Sequence, residues 1–166
     1  MNKVYLGLGS NVGDSLSAIK KVITTLNEDD RINVTNQSSF YETTPYGNVN
    51  QNNFINAVIE IETGLNCSQL LEFNKNLERN FGREKRERWG PREIDIDIIL
   101  FNDDIFHTEK LNIPHPDLIN RDFVLVPLLE INDKLVHPET KKILSEYLDT
   151  KPENHILNKL KNDHLT

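Results

Sequence analysis

One stretch restricts the fold of this chain more than any other: Glu93 to Phe101, EIDIDIILF. Its apolar and acidic residues alternate from Glu93 through Ile98, and that period belongs to a strand whose successive side chains point to opposite faces. Ile94, Ile96 and Ile98 share one face, which can pack on a helix. Asp95 and Asp97 share the other, with Cα atoms about 6.6 Å apart at the usual rise. Carboxylates that close repel each other unless a positive charge joins them. The chain must therefore build a sheet packed on helices through one face and carrying paired acids on the other.

The remaining sequence supplies partners for that strand. Lys3 to Gly9, KVYLGLG, is a short apolar run ending in glycines and reads as a buried first strand. Ser15 to Leu26 places Leu16, Ile19, Val22, Ile23 and Leu26 at helical spacing, with Asp14 or Ser15 as the cap. Val34 to Tyr41 and Phe54 to Glu62 read as strands separated by a long Asn-rich loop, 42–53. Ser68 to Phe81 is a second helix, ended by Gly82. A short strand or turn is expected over 105–113, one helical turn at Asp117–Asn120, a helix over Asp122–Ile131 and a last turn or two over Ile143–Leu148. Two strands joined without an intervening helix imply antiparallel pairing. The expected fold is α+β: a ferredoxin-like sandwich, a mostly antiparallel sheet with helices packed on it. One domain over 1–149 and a polar, frayed C-terminal tail over 150–166 complete this division of the 166 residues.

No run approaches the roughly 18 apolar residues of a membrane span. The single Cys67 excludes an internal disulfide and a multi-cysteine zinc site, and a reducing, cytoplasmic setting is expected. The chain carries −7 overall, which argues against a general nucleic-acid binder. Its charge is uneven, however. In residues 83–92, REKRERWGPR, five cations against two carboxylates leave +3, so the rest of the chain stands at −10. Gly7-x-Gly9 precedes a helix, but Gly13 falls one residue late for a dinucleotide fingerprint, and no glycine-rich phosphate loop with Lys and Ser or Thr occurs. Phosphate handling would have to come from side chains.

The paired acids gain meaning from their neighbours. Hard carboxylate oxygens favour Mg²⁺ or Mn²⁺ over zinc, and two carboxylates on one face can span two ions about 3.5–4 Å apart. The basic island ends at Arg92, three residues before Asp95, so cations for phosphate and carboxylates for metal lie within fifteen residues. Glu78, late in the preceding helix, can orient an arginine or a metal-bound water. Trp89, lone among charges, can stack over a flat ligand. These features fit a phosphoryl-type transfer from a nucleotide. They also fit a nucleotidyltransferase, a sugar-nucleotide-dependent transferase, or a non-catalytic module gripping RNA or an acidic partner.

The stretch R-W-G-P-R-x-x-D-x-D followed by two aliphatics, Arg88 to Ile99, closely resembles the signature of 6-hydroxymethyl-7,8-dihydropterin pyrophosphokinases. YLGLGSN, SSFYETTPYG, FINAVIEIET and LNIPHPDLINRDFVLVPL resemble further blocks of that family in the same order, so the resemblance covers roughly residues 3–130. It implies transfer of pyrophosphate from ATP to the hydroxymethyl group of a reduced pterin, with AMP released, as a step of folate synthesis. It implies two Mg²⁺ on Asp95 and Asp97. Arg83, Arg92, Asp95 and Asp97 are the catalytic set it implies, with Arg83 and Arg92 clamping the phosphates and Lys85 and Arg88 assisting. The implied nucleotide site adds Lys75, Glu78, Ile98, Lys110, Leu111, Asn112, His115 and Arg121. The implied pterin site comprises Thr43, Pro45 and Tyr46 through their backbones, Asn56 at the pterin edge, Phe54 and Phe123 on its two faces, Trp89 as a cover, and Asp95. Phe54 stands where members often carry Tyr, Lys75 where some carry Gln, and Pro116 where some carry an aromatic. The implied partners are ATP and the pterin, with no nucleic acid and no membrane, and the chain is expected as a monomer or weak homodimer. Loops 42–53 and 83–91 are expected to close over the bound substrates.

Overall fold

The structure is a computed structural model and describes residues 1–45, 50–82, 93–150 and 152–160. Its elements follow in the order β1 (Asn2–Ser10), α1 (Ser15–Glu28), β2 (Ile32–Gln37), β3 (Tyr41–Thr43), β4 (Phe54–Thr63), α2 (Cys67–Asn80), β5 (Asp95–Phe101), β6 (Phe106–His107), β7 (Asn112–Ile113), α3 (Asp122–Ile131), a 3₁₀ helix (Leu144–Thr150) and β8 (Ile156–Lys159). The main sheet runs β5-β1-β4-β3-β8, with β2 also on β4, and β6 and β7 form a separate hairpin. Every pairing of these strands is antiparallel. The sheet is open, and the α+β, ferredoxin-like sandwich expected from the sequence is the fold.

Two apolar layers enclose the sheet. Alternate residues of β1, Val4, Leu6 and Leu8, face α1 and α2 together with Ile94, Ile96 and Ile98, all under a tenth exposed. On the other face Tyr5, Val58, Ile99 and Leu100 pack under Leu125 and Leu128 of α3 and Leu144 and Tyr147 of the 3₁₀ helix. A register shift between Tyr5 and Leu6 in the β1–β5 pair lets Ile99 and Leu100 both join this second layer. The helices begin at side-chain caps. Asp14 accepts the Ser17 N–H, and Asn66 and Gln69 form a reciprocal capping box at α2. Gly82 follows α2 with φ +78°, a conformation in which a Cβ is costly.

Three expectations need correction. The strand expected over Val34–Tyr41 divides into β2 and β3, because at the break side chains take up backbone groups beside a remaining backbone bond, Ser38 N–H to Val58 O. Ser38 Oγ accepts the Val58 N–H, and Glu130 accepts both the N–H and the hydroxyl of Ser39. The helical turn expected at Asp117–Asn120 is a pair of successive turns, Leu118 N–H to His115 and Asn120 N–H to Asp117. The tail is not frayed over its whole length. Residues 156–159 are β8, paired with β3 from Tyr41↔Lys159 to Thr43↔Ile156. Three of the four β8 residues are exposed, so its order comes from backbone pairing rather than from burial.

Candidate active site

The paired aspartates lie at the edge of the sheet where β1 lacks side chains. Asp95 stands opposite Gly9 and Asp97 opposite Gly7, and residues opposed across a ladder share a face. Asp97 is exposed and Asp95 half-buried, while Ile96 between them is buried on the helix side. The glycines keep the floor beside the carboxylates bare. A Cβ on Gly9 would come within 2.7 Å of Asn56 Oδ1, and one on Gly7 within 3.2 Å of Ile99 Cδ1.

The ladder continues Asp95–Gly9–Asn56–Tyr41 across β5, β1, β4 and β3. With strands about 4.8 Å apart, Asn56 lies about 10 Å from Asp95 along the sheet. Asn56 Nδ2 donates to Thr43 Oγ1 at 2.7 Å, which fixes its amide, and Phe54 stands opposite Thr43. Pro45 and Phe54 are partly exposed. Below this corner, the Glu130 carboxylate takes hydrogen bonds from Ser39 and from Tyr41 Oη, with Lys159 Nζ at 3.6 Å. Burial alone would raise the Glu130 carboxyl, but the Ser39 and Tyr41 donors and Lys159 outweigh it and hold it below its usual range. Burial and that same carboxylate push the Tyr41 phenol up.

On the other side of the aspartates lies the free edge of β5. Glu78, 3% exposed, accepts the Ile96 N–H there at 2.9 Å through Oε2. Lys75, exposed, holds its Nζ 3.9 Å from Glu78 Oε1. The sequence reading gave Glu78 an arginine or a water to orient, and the structure adds a backbone role. The β6–β7 hairpin carries Lys110 and Asn112, both exposed, and Leu111, which packs on the core. His115 donates its N–H to Ile99 O, so the segment after β7 is tied to β5. Its Nδ1 accepts the Asp117 N–H at 3.1 Å. The Ile98 side chain is 6% exposed in the helix-side layer, facing away from Asp97, and leaves only its backbone for a ligand.

Arg121 is 8% exposed and pairs with Asp117 at 3.0 Å. Its guanidinium carbon sits 5.8 Å from the Phe123 ring centre. That ring and the His155 ring lie nearly perpendicular, centroids 5.5 Å apart at 79°, and His155 Nδ1 lies 2.9 Å from Thr44 Oγ1. Phe123 is thus linked to the corner of Thr43, Phe54 and Asn56. His155 escaped the sequence reading because it has no metal-ligand spacing and lies in a polar stretch. Tyr46, Arg83, Lys85, Arg88, Trp89 and Arg92 lie outside the described residues, as does most of the loop pair expected to close. Asp95 and Asp97 therefore stand between two groups: Lys75, Glu78 and the hairpin beyond β5, and Thr43, Phe54 and Asn56 beyond β1.

The family model described as 7,8-dihydro-6-hydroxymethylpterin-pyrophosphokinase (HPPK) matches residues 5–133, all the elements from β1 through α3. The chain belongs to this family. As an HPPK it is a transferase that moves a pyrophosphoryl group to a hydroxymethyldihydropterin in folate biosynthesis, and it uses ATP. It is 47% identical over 154 residues to the 2-amino-4-hydroxy-6-hydroxymethyldihydropteridine pyrophosphokinase of Aquifex aeolicus, covering 93% of each chain. It is 44% identical over 130 residues to the enzyme of that name from Bacillus subtilis, covering 78% of each. Among solved structures, a Plasmodium falciparum HPPK-DHPS with pteroate superposes with a TM-score of 0.68 at 17% identity, over 90% of this chain and 42% of that one. The same protein with pterin and p-hydroxybenzoate gives 0.67 at 17%, over 90% and 41%. This HPPK spans about two fifths of those fused chains, and at such identity the likeness speaks for the fold.

Proposed function

We propose that the chain transfers the pyrophosphoryl group of ATP to the hydroxymethyl oxygen of 6-hydroxymethyl-7,8-dihydropterin, releasing AMP, at a site centred on Asp95 and Asp97. The observation that carries this reading is the ladder Asp95–Gly9–Asn56, which sets an acidic pair about 10 Å from a fixed amide across a floor without side chains. A flat bicycle read at one edge by Asn56 fits that span, with its hydroxymethyl arm toward the aspartates.

Asp95 and Asp97 offer hard oxygens on one face, and no cluster of three or more His, Cys, Asp or Glu occurs among the described residues. That donor set suits Mg²⁺, which favours one or two carboxylates plus substrate phosphates over an all-protein cage. Two Mg²⁺ are our reading, held by Asp95 and Asp97 together with ATP. When bound they neutralise charge on the polyphosphate. The chain's own residues do the rest. Arg83, Arg92, Lys85 and Arg88 supply cations for the phosphate oxygens. Lys75, Lys110, Leu111, Asn112, His115 and the Ile98 backbone hold the nucleotide from the β5 side, Arg121 reaches it from the start of α3, and Glu78 holds β5 itself. Thr43, Pro45, Tyr46, Phe54, Asn56, Phe123 and Trp89 hold the pterin.

The bond formed joins the hydroxymethyl oxygen to the β-phosphorus. The bond broken joins that phosphorus to the oxygen that leaves with AMP, and the alcohol proton passes to water. Positioning and charge dominate such a transfer, and carboxylates engaged with metal are poor bases, so no essential general base is assigned. A cytoplasmic enzyme acting as a monomer or weak homodimer is part of this reading, and the lone Cys67 is a buried thiol.

The test is product analysis with ATP, Mg²⁺ and 6-hydroxymethyl-7,8-dihydropterin. AMP appearing one-for-one with a pterin pyrophosphate supports the reading. Release of pyrophosphate or of a nucleoside diphosphate instead would overturn it.

A further inference from the structure

We infer that His155, in the segment leading into β8, is a positioning residue for the pterin pocket, and that this segment ties the pocket's two walls together. One wall is the start of α3, with Phe123. The other is the end of β3, with Thr43 and Thr44. His155 touches both: its ring meets the Phe123 ring edge-on at 5.5 Å between centroids, and its Nδ1 lies 2.9 Å from Thr44 Oγ1. The backbone repeats the link. Thr44 N–H donates to His155 O at 2.8 Å, and the Asp122 carboxylate accepts the N–H groups of His155 and Ile156 at 3.0 and 2.9 Å. The Nε2 atom of His155 lies 3.2 Å from Glu153 Oε2, so both ring nitrogens are engaged and the ring is fixed in plane and position.

A ring held at both nitrogens restrains what it touches. The perpendicular contact sets the tilt of Phe123, and edge-to-face pairs carry about 0.5–1.5 kcal/mol beyond area burial. The hydroxyl contact sets the backbone between Thr43 and Pro45. The inference rests on the reading of Phe123, Thr43 and Asn56 as the pterin site. It assigns His155 no contact with substrate, and it concerns pterin affinity rather than the transfer step.

The test uses the full chain and steady-state kinetics with each substrate varied in turn, with folding checked by thermal melting. His155→Ala is expected to raise the KM for the pterin about fivefold and to leave kcat and the KM for ATP within about twofold. His155→Phe retains an aromatic ring against Phe123 and is expected to recover part of that loss. Thr44→Val removes only the hydroxyl partner, leaves the backbone bond from Thr44 N–H to His155 O in place, and is expected to raise the pterin KM in the same sense. Phe123→Ala is the control on the pocket itself. If Phe123→Ala raises the pterin KM while His155→Ala and Thr44→Val do not, the positioning role fails and the pocket stands. If Phe123→Ala leaves the pterin KM unchanged, the pocket reading fails and takes the role of His155 with it. Equal losses toward ATP and pterin in His155→Ala would overturn the inference in favour of a general structural role.

Discussion

Glu78 Oε2 accepts the backbone N–H of Ile96 at 2.9 Å, and Ile96 is the residue between the two site aspartates. Among the described residues β5 is the edge strand of the sheet, and its outward N–H groups face no neighbouring strand. A carboxylate 3% exposed takes the place of that strand. It fixes the backbone of the acidic pair from outside while the Ile96 side chain anchors it from below.

Removing that acceptor should cost stability. Glu78→Ala leaves a buried N–H unpaired and is expected to lower stability by about 1–3 kcal/mol. Glu78→Gln, which keeps an oxygen acceptor, is expected to lose less. Denaturant unfolding of both variants decides it, and a Glu78→Ala protein as stable as the parent would contradict the arrangement.

Asp97 should separate stability from activity. Its side chain is exposed, so Asp97→Asn is expected to change stability by no more than about 0.5 kcal/mol. Turnover is expected to fall about a thousandfold or more, since charge stabilisation at the polyphosphate is lost. AMP release and a melting curve on one sample test both halves. A large loss of stability without loss of turnover would be the opposite of what the structure requires.

Gly9 is a steric prediction. A Cβ there would meet Asn56 Oδ1 at 2.7 Å, closer than real contacts allow. Gly9→Ala must displace the amide and its 2.7 Å bond to Thr43. The pterin KM is expected to rise about tenfold, comparable to the loss of one good hydrogen bond with misplacement, while the ATP KM moves little. Equal effects on both substrates would place the disturbance elsewhere.

His137 should give the fold an acid-sensitive component. It is 7% exposed, and its Nδ1 accepts the N–H groups of Glu139 and Thr140 at 3.2 and 3.3 Å. Burial pushes its pKa below the ordinary 6.5, against a smaller opposing pull from Glu139. A group with a depressed imidazole pKa takes up its proton first in the unfolded chain. Its contribution is therefore complete above 6.5 and declines as pH falls from there toward the folded value. His137→Gln is expected to flatten the fall in melting temperature between about pH 7 and pH 5. Parallel curves for parent and variant over that range would exclude it.

The acidic strand was legible because its period of two is unbroken through Ile98, and both long helices because their apolar stripes and caps agree. The face carrying Asp95 and Asp97 followed from parity alone. The ladder to Asn56 did not, since pairing Gly9 with Asn56 is a property of the sheet order. Glu78 illustrates the same limit: the sequence marked it as a candidate to orient an arginine or a water, but its bond to the Ile96 N–H could not be read until β5 was placed against α2. Ser39 and Glu130 are 91 residues apart, and nothing local in either announces the other. The C-terminal segment was misread because its order comes from backbone pairing with β3 and from Asp122, while its few apolar residues, Ile156, Leu157 and Leu160, sit in a polar stretch with no strand period.

The docking of β8 has a consequence for the order in which the molecule assembles. Its contacts join residues 111 and 116 positions apart, Thr44 to His155 and Glu42 to Asn158, far beyond the spans within each helix. Closing a loop that long costs entropy before any contact repays it, and β8 repays it with one short, mostly exposed ladder. The strand is thus the late arrival in folding and an early departure in local opening. Amide protons of Ile156 to Lys159 should exchange faster than those of the buried β1–β4 ladder, so the corner that joins β3 to β8 should loosen before that ladder on heating or in denaturant.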